Sequence, residues 1–297
     1  MYPAAFDYHA PATLDEAIAL LAELGPGAKL LAGGASLIPL MKLRLVEPGH
    51  LVDLARVPGL DGVHELPDGG LEIGAMVRER DLAHSAAARV GVLADACRVI
   101  ADPIVRNVGT VGGNLAHGDP ANDHPAIMLA LEASLVVRGP AGERVIPARD
   151  FHVDLLVTAL APEEVVTAIR IPAGAMTSRT GSAYVKFERQ VGDYAIAAAA
   201  AVVSLGQDGR IGRSAVAFTN LAPTPRRSAS IEAVLTGAVP SAAVIAEAAA
   251  ALADGELEPW DDLRGTAAVK RAMARAAATR AITVALARAT DTSGGAA

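Results

Sequence analysis

Two pairs of adjacent glycines, Gly33-Gly34 and Gly112-Gly113, place special demands on the backbone of this chain. Ser36 follows the first pair, and Thr110 and Asn114 flank the second. Glycine has no Cβ atom and tolerates positive φ, so successive N–H groups can turn toward one point. Neutral hydroxyl and amide donors can add to such a nest. The pattern predicts two loops that hold a pyrophosphate.

The glycine pairs do not match the common nucleotide-binding fingerprints. The chain contains no G-x-G-x-x-G motif that opens a helix and no G-x-x-x-x-G-K-[ST] motif. These motifs mark Rossmann and P-loop sites, so both classes are excluded. Either glycine pair, taken alone, is also compatible with an ordinary tight turn.

Bulk properties indicate a soluble protein with small-molecule or protein partners. The 297 residues suffice for two domains, and 20% of them are charged. A net charge of −7 gives no electrostatic basis for binding nucleic acid or an anionic membrane. The longest apolar run, 195–205, is too short for a membrane span, and no secretory signal is recognisable. We therefore expect a cytoplasmic protein.

Cys97 is the single cysteine of the sequence. An internal disulfide is thereby excluded, and so is an iron–sulfur cluster held by this chain alone, which normally requires four thiolates. Cys97 lies in an apolar helical stretch over 93–100. We therefore expect a buried, unreactive thiol and not a nucleophile.

The first domain is predicted to contain both helices and strands. Thr13 and Glu16 form a capping box that starts a helix over 13–24. Apolar runs and turn signals predict the following strands, of which the fourth and fifth form a hairpin: 29–32, 51–54, 71–74, 133–138, 143–147 and 165–171. A small-residue stretch, 172–181, places the domain boundary near residue 177.

The second domain, over 178–290, is predicted to be a sheet backed by helices. Three antiparallel strands are expected over 182–189, 195–205 and 211–219, the last two joined at a turn. Helix-forming composition marks 228–235, 241–253 and 266–289. The tail over 291–297 is predicted to be disordered.

A polar segment over 116–125 contains His117, Asp119, Asp123 and His124. Such residues are metal ligands in many proteins. The two prolines of the segment limit how the side chains can converge, so a hydrated loop or a helix start is favoured and no metal is assigned.

Three segments together resemble one protein family. The segments 32–37, 106–114 and 192–195 are similar to the flavoprotein subunits of the molybdenum hydroxylases, such as carbon monoxide dehydrogenase and, more loosely, xanthine dehydrogenase. The resemblance implies an α+β fold: a two-part FAD-binding domain of the p-cresol methylhydroxylase/vanillyl-alcohol oxidase type over 1–177, then a smaller domain of three strands plus helices. It also implies noncovalent FAD. Ala35 replaces a histidine common in this family.

The resemblance assigns the cofactor-binding residues. Two groups would wrap the pyrophosphate and reach the flavin: Leu30, Leu31, Ala32, Gly33, Gly34, Ala35, Ser36 and Leu37; and Thr110, Val111, Gly112, Gly113 and Asn114. Asp123 would bond the adenosine ribose and Leu160 would approach the adenine. Lys186 and Tyr194 would lie near the flavin ring. Core packing for Leu160 and Tyr194, and a solvated charge for Lys186, are the alternatives.

The resemblance further implies a role in electron transfer. Electrons would arrive from an iron–sulfur small subunit, fed by a molybdopterin large subunit, and leave to an external acceptor that no motif identifies. Molybdopterin and [2Fe-2S] clusters would lie only in those partners, in a dimer of heterotrimers. No catalytic residue is assigned. A stand-alone flavin-dependent reductase of the same fold and a flavin-free scaffold subunit remain as alternatives.

Overall fold

The computed structural model describes residues 2–291. The predicted tail over 291–297 lies, from residue 292 onward, outside the described residues. The strands within the described range are β1 Asp7–His9, β2 Ala28–Leu31, β3 His50–Asp53, β4 Val63–Glu65, β5 Leu71–Gly74, β6 Ser134–Gly139, β7 Gly142–Pro147, β8 His152–Asp154, β9 Val157–Thr158, β10 Val165–Ile171, β11 Thr180–Phe187, β12 Ala197–Leu205, β13 Ile211–Thr219 and β14 Arg226–Arg227.

Helices alternate irregularly with these strands. The α-helices of the same range are α1 Leu14–Leu24, α2 Leu37–Lys42, α3 Glu79–Leu82, α4 Gly91–Val99, α5 Pro103–Arg106, α6 Val111–His117, α7 Asp123–Ala130, α8 Ala148–Phe151, α9 Ala229–Leu235, α10 Ala242–Ala250 and α11 Ala267–Thr290. None of these helices is long and apolar enough to span a membrane.

The first part of the chain contains two main sheets. A small parallel sheet has the order β1-β3-β2, and an antiparallel sheet has the order β4-β5-β10-β6-β7. Helix α1 packs on the small sheet and starts as predicted: the Thr13 hydroxyl accepts a hydrogen bond from the Glu16 amide at 3.2 Å. The Glu16 carboxylate caps the Ala12 amide, one residue before the one expected. The predicted two-part α+β architecture is confirmed.

The second part of the chain is a sheet covered by the long helix α11. The three predicted strands pair as β11-β12-β13, and the two-residue strand β14 extends the sheet at its edge. Small residues let the helix approach the sheet closely. A Cβ atom at Gly181 would lie 1.9 Å from the Ala285 carbonyl oxygen. The five alanines of β12, residues 197–201, are all fully buried.

The two parts share one continuous hydrophobic core. Residues of the antiparallel sheet, of α4 and of α7 pack directly against Tyr184 and the inner face of β12. Helix α4 is also joined to α11, because the Arg288 guanidinium donates two hydrogen bonds to Asp95 at 2.6 and 2.9 Å. Cys97 is buried in this core, and burial raises the pKa of its thiol to about 12. The expected burial of this thiol is confirmed, and a raised pKa is consistent with low reactivity.

Candidate functional site

The two glycine segments lie against each other, although 70 residues and more separate them in the sequence. A Cβ atom at Gly33 would lie 1.9 Å from the Val108 carbonyl oxygen and 2.8 Å from the Gly109 Cα. One at Gly113 would lie 3.6 Å from the Ala32 Cβ. Only glycine permits this approach at position 33. The fold therefore brings the two predicted segments into one site.

The first segment presents a row of unused backbone donors. Gly34 has φ +68°, and helix α2 begins three residues later with Ser36 as its N-cap residue. Within residues 2–291, no N–H group of residues 33–37 donates a hydrogen bond to another part of the chain. Consecutive free N–H groups at a helix start form an anion-binding cradle. This segment has the predicted nest geometry.

The second segment differs from the prediction. It is not a nest but the start of helix α6, and neither of its paired glycines has positive φ. Its donors are already used: the Val111 and Gly112 amides bond to the Val77 and Ala75 carbonyls at 3.0 and 2.9 Å. The Gly113 amide bonds to the Thr110 hydroxyl at 3.1 Å. The segment pairs in antiparallel fashion with residues 75–79, so its amides are not free for a ligand. The local sequence does not reveal this pairing.

Close packing explains the glycines of the second segment. A Cβ atom at Gly112 would lie 2.5 Å from the Ala75 Cβ and 2.7 Å from its carbonyl oxygen. The side chain of Asn114 is the polar group left for a ligand. Its Oδ1 atom is buried and has no hydrogen-bond partner within the described chain, and buried polar atoms are rarely left unpaired. Its neighbour Gly113 lies against Ala32, which immediately precedes the free donors of the first segment.

Asp123 and Lys186 lie together in a buried ion pair. The Lys186 ammonium donates to the Asp123 carboxylate and to the Val99 carbonyl, both at 3.1 Å, and lies 3.4 Å from Glu188. The Tyr184 hydroxyl donates to the other Asp123 oxygen at 2.5 Å. Burial raises the pKa of Asp123, whereas Lys186 and Tyr184 act in the opposite direction. Both side chains therefore have interior partners, and their expected contacts with ribose and flavin stay predictions.

Tyr194 and Leu160 occupy different surroundings. Tyr194 is 38% exposed and lies beside Ser36, with the Arg264 guanidinium 5.3 Å from the centre of its ring. Burial of its hydroxyl raises the pKa of Tyr194. The fold thus brings a residue of the second domain to the first glycine segment. Leu160 is half-buried and packs on the main core, and its adenine contact stays a prediction.

One buried pair was not predicted. The fully buried His124 Nε2 donates to both carboxylate oxygens of Glu79, at 2.9 and 3.0 Å. The sequence predicts a hydrated loop or a helix start for this segment; the helix start is correct, since His124 is the second residue of α7, but the side chain is buried and not hydrated. Glu79 lies in the four-residue helix α3, which carries no periodic signal. The pairing joins residues 45 positions apart, so no local pattern could have revealed it.

The site fits a dinucleotide cofactor. The free N–H row of residues 33–37 suits a pyrophosphate, and the orphaned Asn114 oxygen suits a hydroxyl or N–H donor of the same ligand. Two family models match the chain: the FAD binding domain in molybdopterin dehydrogenase over residues 4–174, and the CO dehydrogenase flavoprotein C-terminal domain over residues 182–285. The chain belongs to this family. It is an FAD-binding subunit of an oxidoreductase.

Known relatives are similar over nearly the whole chain. The carbon monoxide dehydrogenase medium chain of Hydrogenophaga pseudoflava is 47% identical, across 97% of this chain and 99% of that protein. The 6-hydroxypseudooxynicotine dehydrogenase complex subunit alpha of Paenarthrobacter nicotinovorans is 35% identical, across 98% of both. Several of these relatives are named as medium chains or subunits of larger complexes.

Solved structures agree in fold. Carbon monoxide dehydrogenase from Hydrogenophaga pseudoflava superposes with a TM-score of 0.92 at 46% identity, covering 97% of this chain and 99% of that one. Quinoline 2-oxidoreductase from Pseudomonas putida 86 gives a TM-score of 0.89 at 34% identity, with coverages of 97% and 99%. The family thus includes enzymes with chemically different named substrates.

Proposed function

We propose that this chain passes electrons from an iron–sulfur subunit through FAD to an external acceptor. The observation that carries the proposal is the row of free N–H groups at residues 33–37. This row contacts the second glycine segment at Gly33. FAD can accept electrons singly and release them in pairs, as needed between iron–sulfur clusters and a two-electron acceptor. The protein supplies binding, orientation and electrostatics.

Each part of the site has a proposed role toward the cofactor. The amides of residues 33–37 hold the pyrophosphate, aided by the Ser36 hydroxyl, while Leu30, Leu31 and Ala32 lead the strand into the site. Thr110 caps α6 and fixes Asn114, whose Oδ1 would accept a hydrogen bond from the cofactor. Tyr194, which lies beside Ser36, would be near the flavin ring. No side chain needs to transfer a proton to the substrate of the complex, because that substrate reacts in another subunit.

The partners are inferred from the family to which the chain belongs. Its single cysteine cannot supply the four thiolates of a cluster, and the family resemblance implies that the [2Fe-2S] clusters lie in a small subunit and the molybdopterin in a large one. We place the chain in a cytoplasmic complex of these three subunits, arranged as a dimer of heterotrimers. The relatives named as medium chains support a complex with further subunits, to which we add the dimer of heterotrimers as part of the proposal.

The test is cofactor retention and reduction. The purified full-length chain is incubated with FAD, desalted and examined for flavin absorption bands near about 370 and 450 nm. We expect retained FAD that is reduced by substrate only when both partner subunits are present. If the chain retains no FAD even when produced with those subunits, the proposal fails. Steady NADPH oxidation by the isolated chain would favour a stand-alone reductase instead.

A further inference from the structure

Three consecutive buried residues at the start of α7 each reach a different element. The Asn122 Nδ2 donates to the Asn114 carbonyl of α6 at 2.8 Å. Asp123 bonds to Tyr184 and Lys186 of β11, and His124 bonds to Glu79 of α3. All three are at most 7% exposed. This triplet ties together the two domains and the second glycine segment.

Glu79 extends the contact to the other end of that segment. Its own amide donates to the Gly109 carbonyl at 3.0 Å, and the neighbouring Arg78 forms a β-bridge with Thr110. The segment 109–114 is therefore held from α7 at both ends: through Glu79 at Gly109 and through Asn122 at Asn114. Gly109 in turn lies against Gly33 of the first segment.

A buried ion pair is weak evidence for stability, because the loss of hydration of two charges offsets much of their attraction. A satisfied buried polar network does, however, restrict the geometry of the groups it holds. We propose that Glu79 and His124 are positioning residues for FAD, which fix the second glycine segment against the first. This inference rests on the proposed function of the chain.

The charge on His124 is central to this role. Burial lowers the pKa of His124, but the Glu79 carboxylate and, to a smaller extent, Asp123 outweigh it, so the net shift is upward. The titratable groups that act on the pair are Asp123 of α7 and Cys97 of α4, and the groups that act on these two in turn are Arg106 of α5, Tyr184 and Lys186 of β11, and, through Tyr184, Glu188 just after β11. Unlike His124, none of these surrounding groups has an ordinary pKa between about 6 and 8.

A pH dependence of FAD binding follows. Below the raised pKa, protonated His124 pairs with the Glu79 carboxylate and holds α3 in place. As the pH rises through that pKa, His124 loses its Nδ1 proton, so the attraction between opposite charges is lost and only the neutral Nε2–H hydrogen bond to Glu79 remains. The affinity of the wild-type chain for FAD should therefore fall toward alkaline pH. A variant without the Glu79 charge should lose this dependence.

The experiment compares FAD dissociation constants, measured by flavin fluorescence between about pH 6 and pH 9. The variants are Glu79→Gln and His124→Gln in the full-length chain, produced with its partner subunits if it requires them. The control is Glu256→Gln, because the Glu256 carboxylate bonds to Ser228 and Ser230 of the second domain and to neither glycine segment. Folding of each variant is monitored by circular dichroism.

We expect both site variants to bind FAD on the order of tenfold more weakly at neutral pH, since small misplacements of a binding group are costly. Glu79→Gln should also show a flat pH profile, and Glu256→Gln should bind as the wild type does. Unchanged affinity in both site variants, or equal weakening in the control, overturns the inference. If the wild-type chain binds no FAD, the proposed function itself is wrong. That outcome differs from a failure of the positioning role, in which the wild type binds FAD and the site variants bind it equally well.

Discussion

At the scale of single residues, the four glycines of the two site segments meet two different physical needs, close approach of a neighbour and positive φ. Gly33 is required by the approach of the Val108 carbonyl, and Gly34 by a positive φ of 68°. Gly112 is required by packing on Ala75, and Gly113 lies closest to the Thr110 hydroxyl that caps its helix. The same dipeptide in the sequence therefore does not predict the same backbone geometry.

Gly33→Ala tests the contact between the segments. The added Cβ atom would overlap the Val108 carbonyl oxygen, so the two segments must separate. We expect at least tenfold weaker FAD binding, measured by fluorescence titration, a loss of about 1.4 kcal/mol or more. Gly174→Ala is the control, since a Cβ atom there has no neighbour within 4 Å. Equal effects of the two substitutions would contradict this account.

His152 gives a pH-dependent contribution to stability. Burial lowers its pKa to about 4, while the Nε2 donates to the Leu115 carbonyl at 3.1 Å. A lowered pKa means that the unfolded chain binds the proton more tightly. Stability is therefore complete above the ordinary value of about 6.5 and falls as the pH decreases toward about 4, by at most about 1.4 kcal/mol per pH unit.

Urea unfolding at several pH values measures this contribution. We expect His152→Gln to reduce the slope of the unfolding free energy between about pH 4 and 6.5 relative to the wild type. The glutamine amide can still donate toward Leu115, so the comparison isolates the titration. An identical slope in both proteins would show that other groups dominate this pH range.

At the scale of elements, the short helix α6 connects the site to an exposed hairpin. Strands β8 and β9 are joined through Leu155 and Leu156, and the Leu156 amide donates to the Gly118 carbonyl at the end of α6. Leu156 has φ +58° although it is not glycine, and it is 55% exposed. A leucine in this conformation costs about 1 to 2 kcal/mol. The turn is therefore strained.

Leu156→Asn should relieve part of this strain, because asparagine tolerates the left-handed region better. We expect an increase of up to about 1 kcal/mol in the free energy of unfolding. Leu155→Asn is the matched control: that residue is similarly exposed but has no positive φ, so its effect should stay within about 0.5 kcal/mol. A stabilisation by Leu155→Asn as large as that by Leu156→Asn would argue against backbone strain.

At the scale of the whole molecule, the two domains share one core and several buried polar links. The core joins the sheet of the first domain to Tyr184 and β12, and Asp95 binds Arg288 across the same junction. Tyr194 of the second domain lies beside Ser36 of the first. Folding of the two domains should therefore be coupled, and FAD bound at residues 33–37 should stabilise both.

Coupled folding can be measured with two probes. Trp260, the single tryptophan of the sequence, reports on the second domain, and flavin absorbance reports on the FAD site. We expect coincident urea transitions for the two signals. Free FAD at 100 times its dissociation constant should add about 2.7 kcal/mol to the unfolding free energy seen by both. Separate transitions would mean that the shared core does not couple the domains.

Much of the architecture could be predicted, because local patterns control it. Strands β5, β10 and β13 match the predicted ranges residue for residue, and α1 begins at its predicted cap. The four-residue helices α3, α5 and α8 were not predicted, because one turn of helix contains no periodic pattern. The donors of the second glycine segment were also misjudged, since their partners come from residues 75–77.

By itself, the sequence determined the alternation of strands and helices, the inert cysteine and the two glycine segments of the site, because propensity, periodicity and motif are local properties. The tertiary structure alone decided how the segments work: residues 33–37 keep free donors, while 111–113 use theirs on a neighbouring segment. It also decided that His124 meets Glu79 and that Asp123 meets Lys186. Pairing between distant residues depends on packing in three dimensions, which no local pattern encodes.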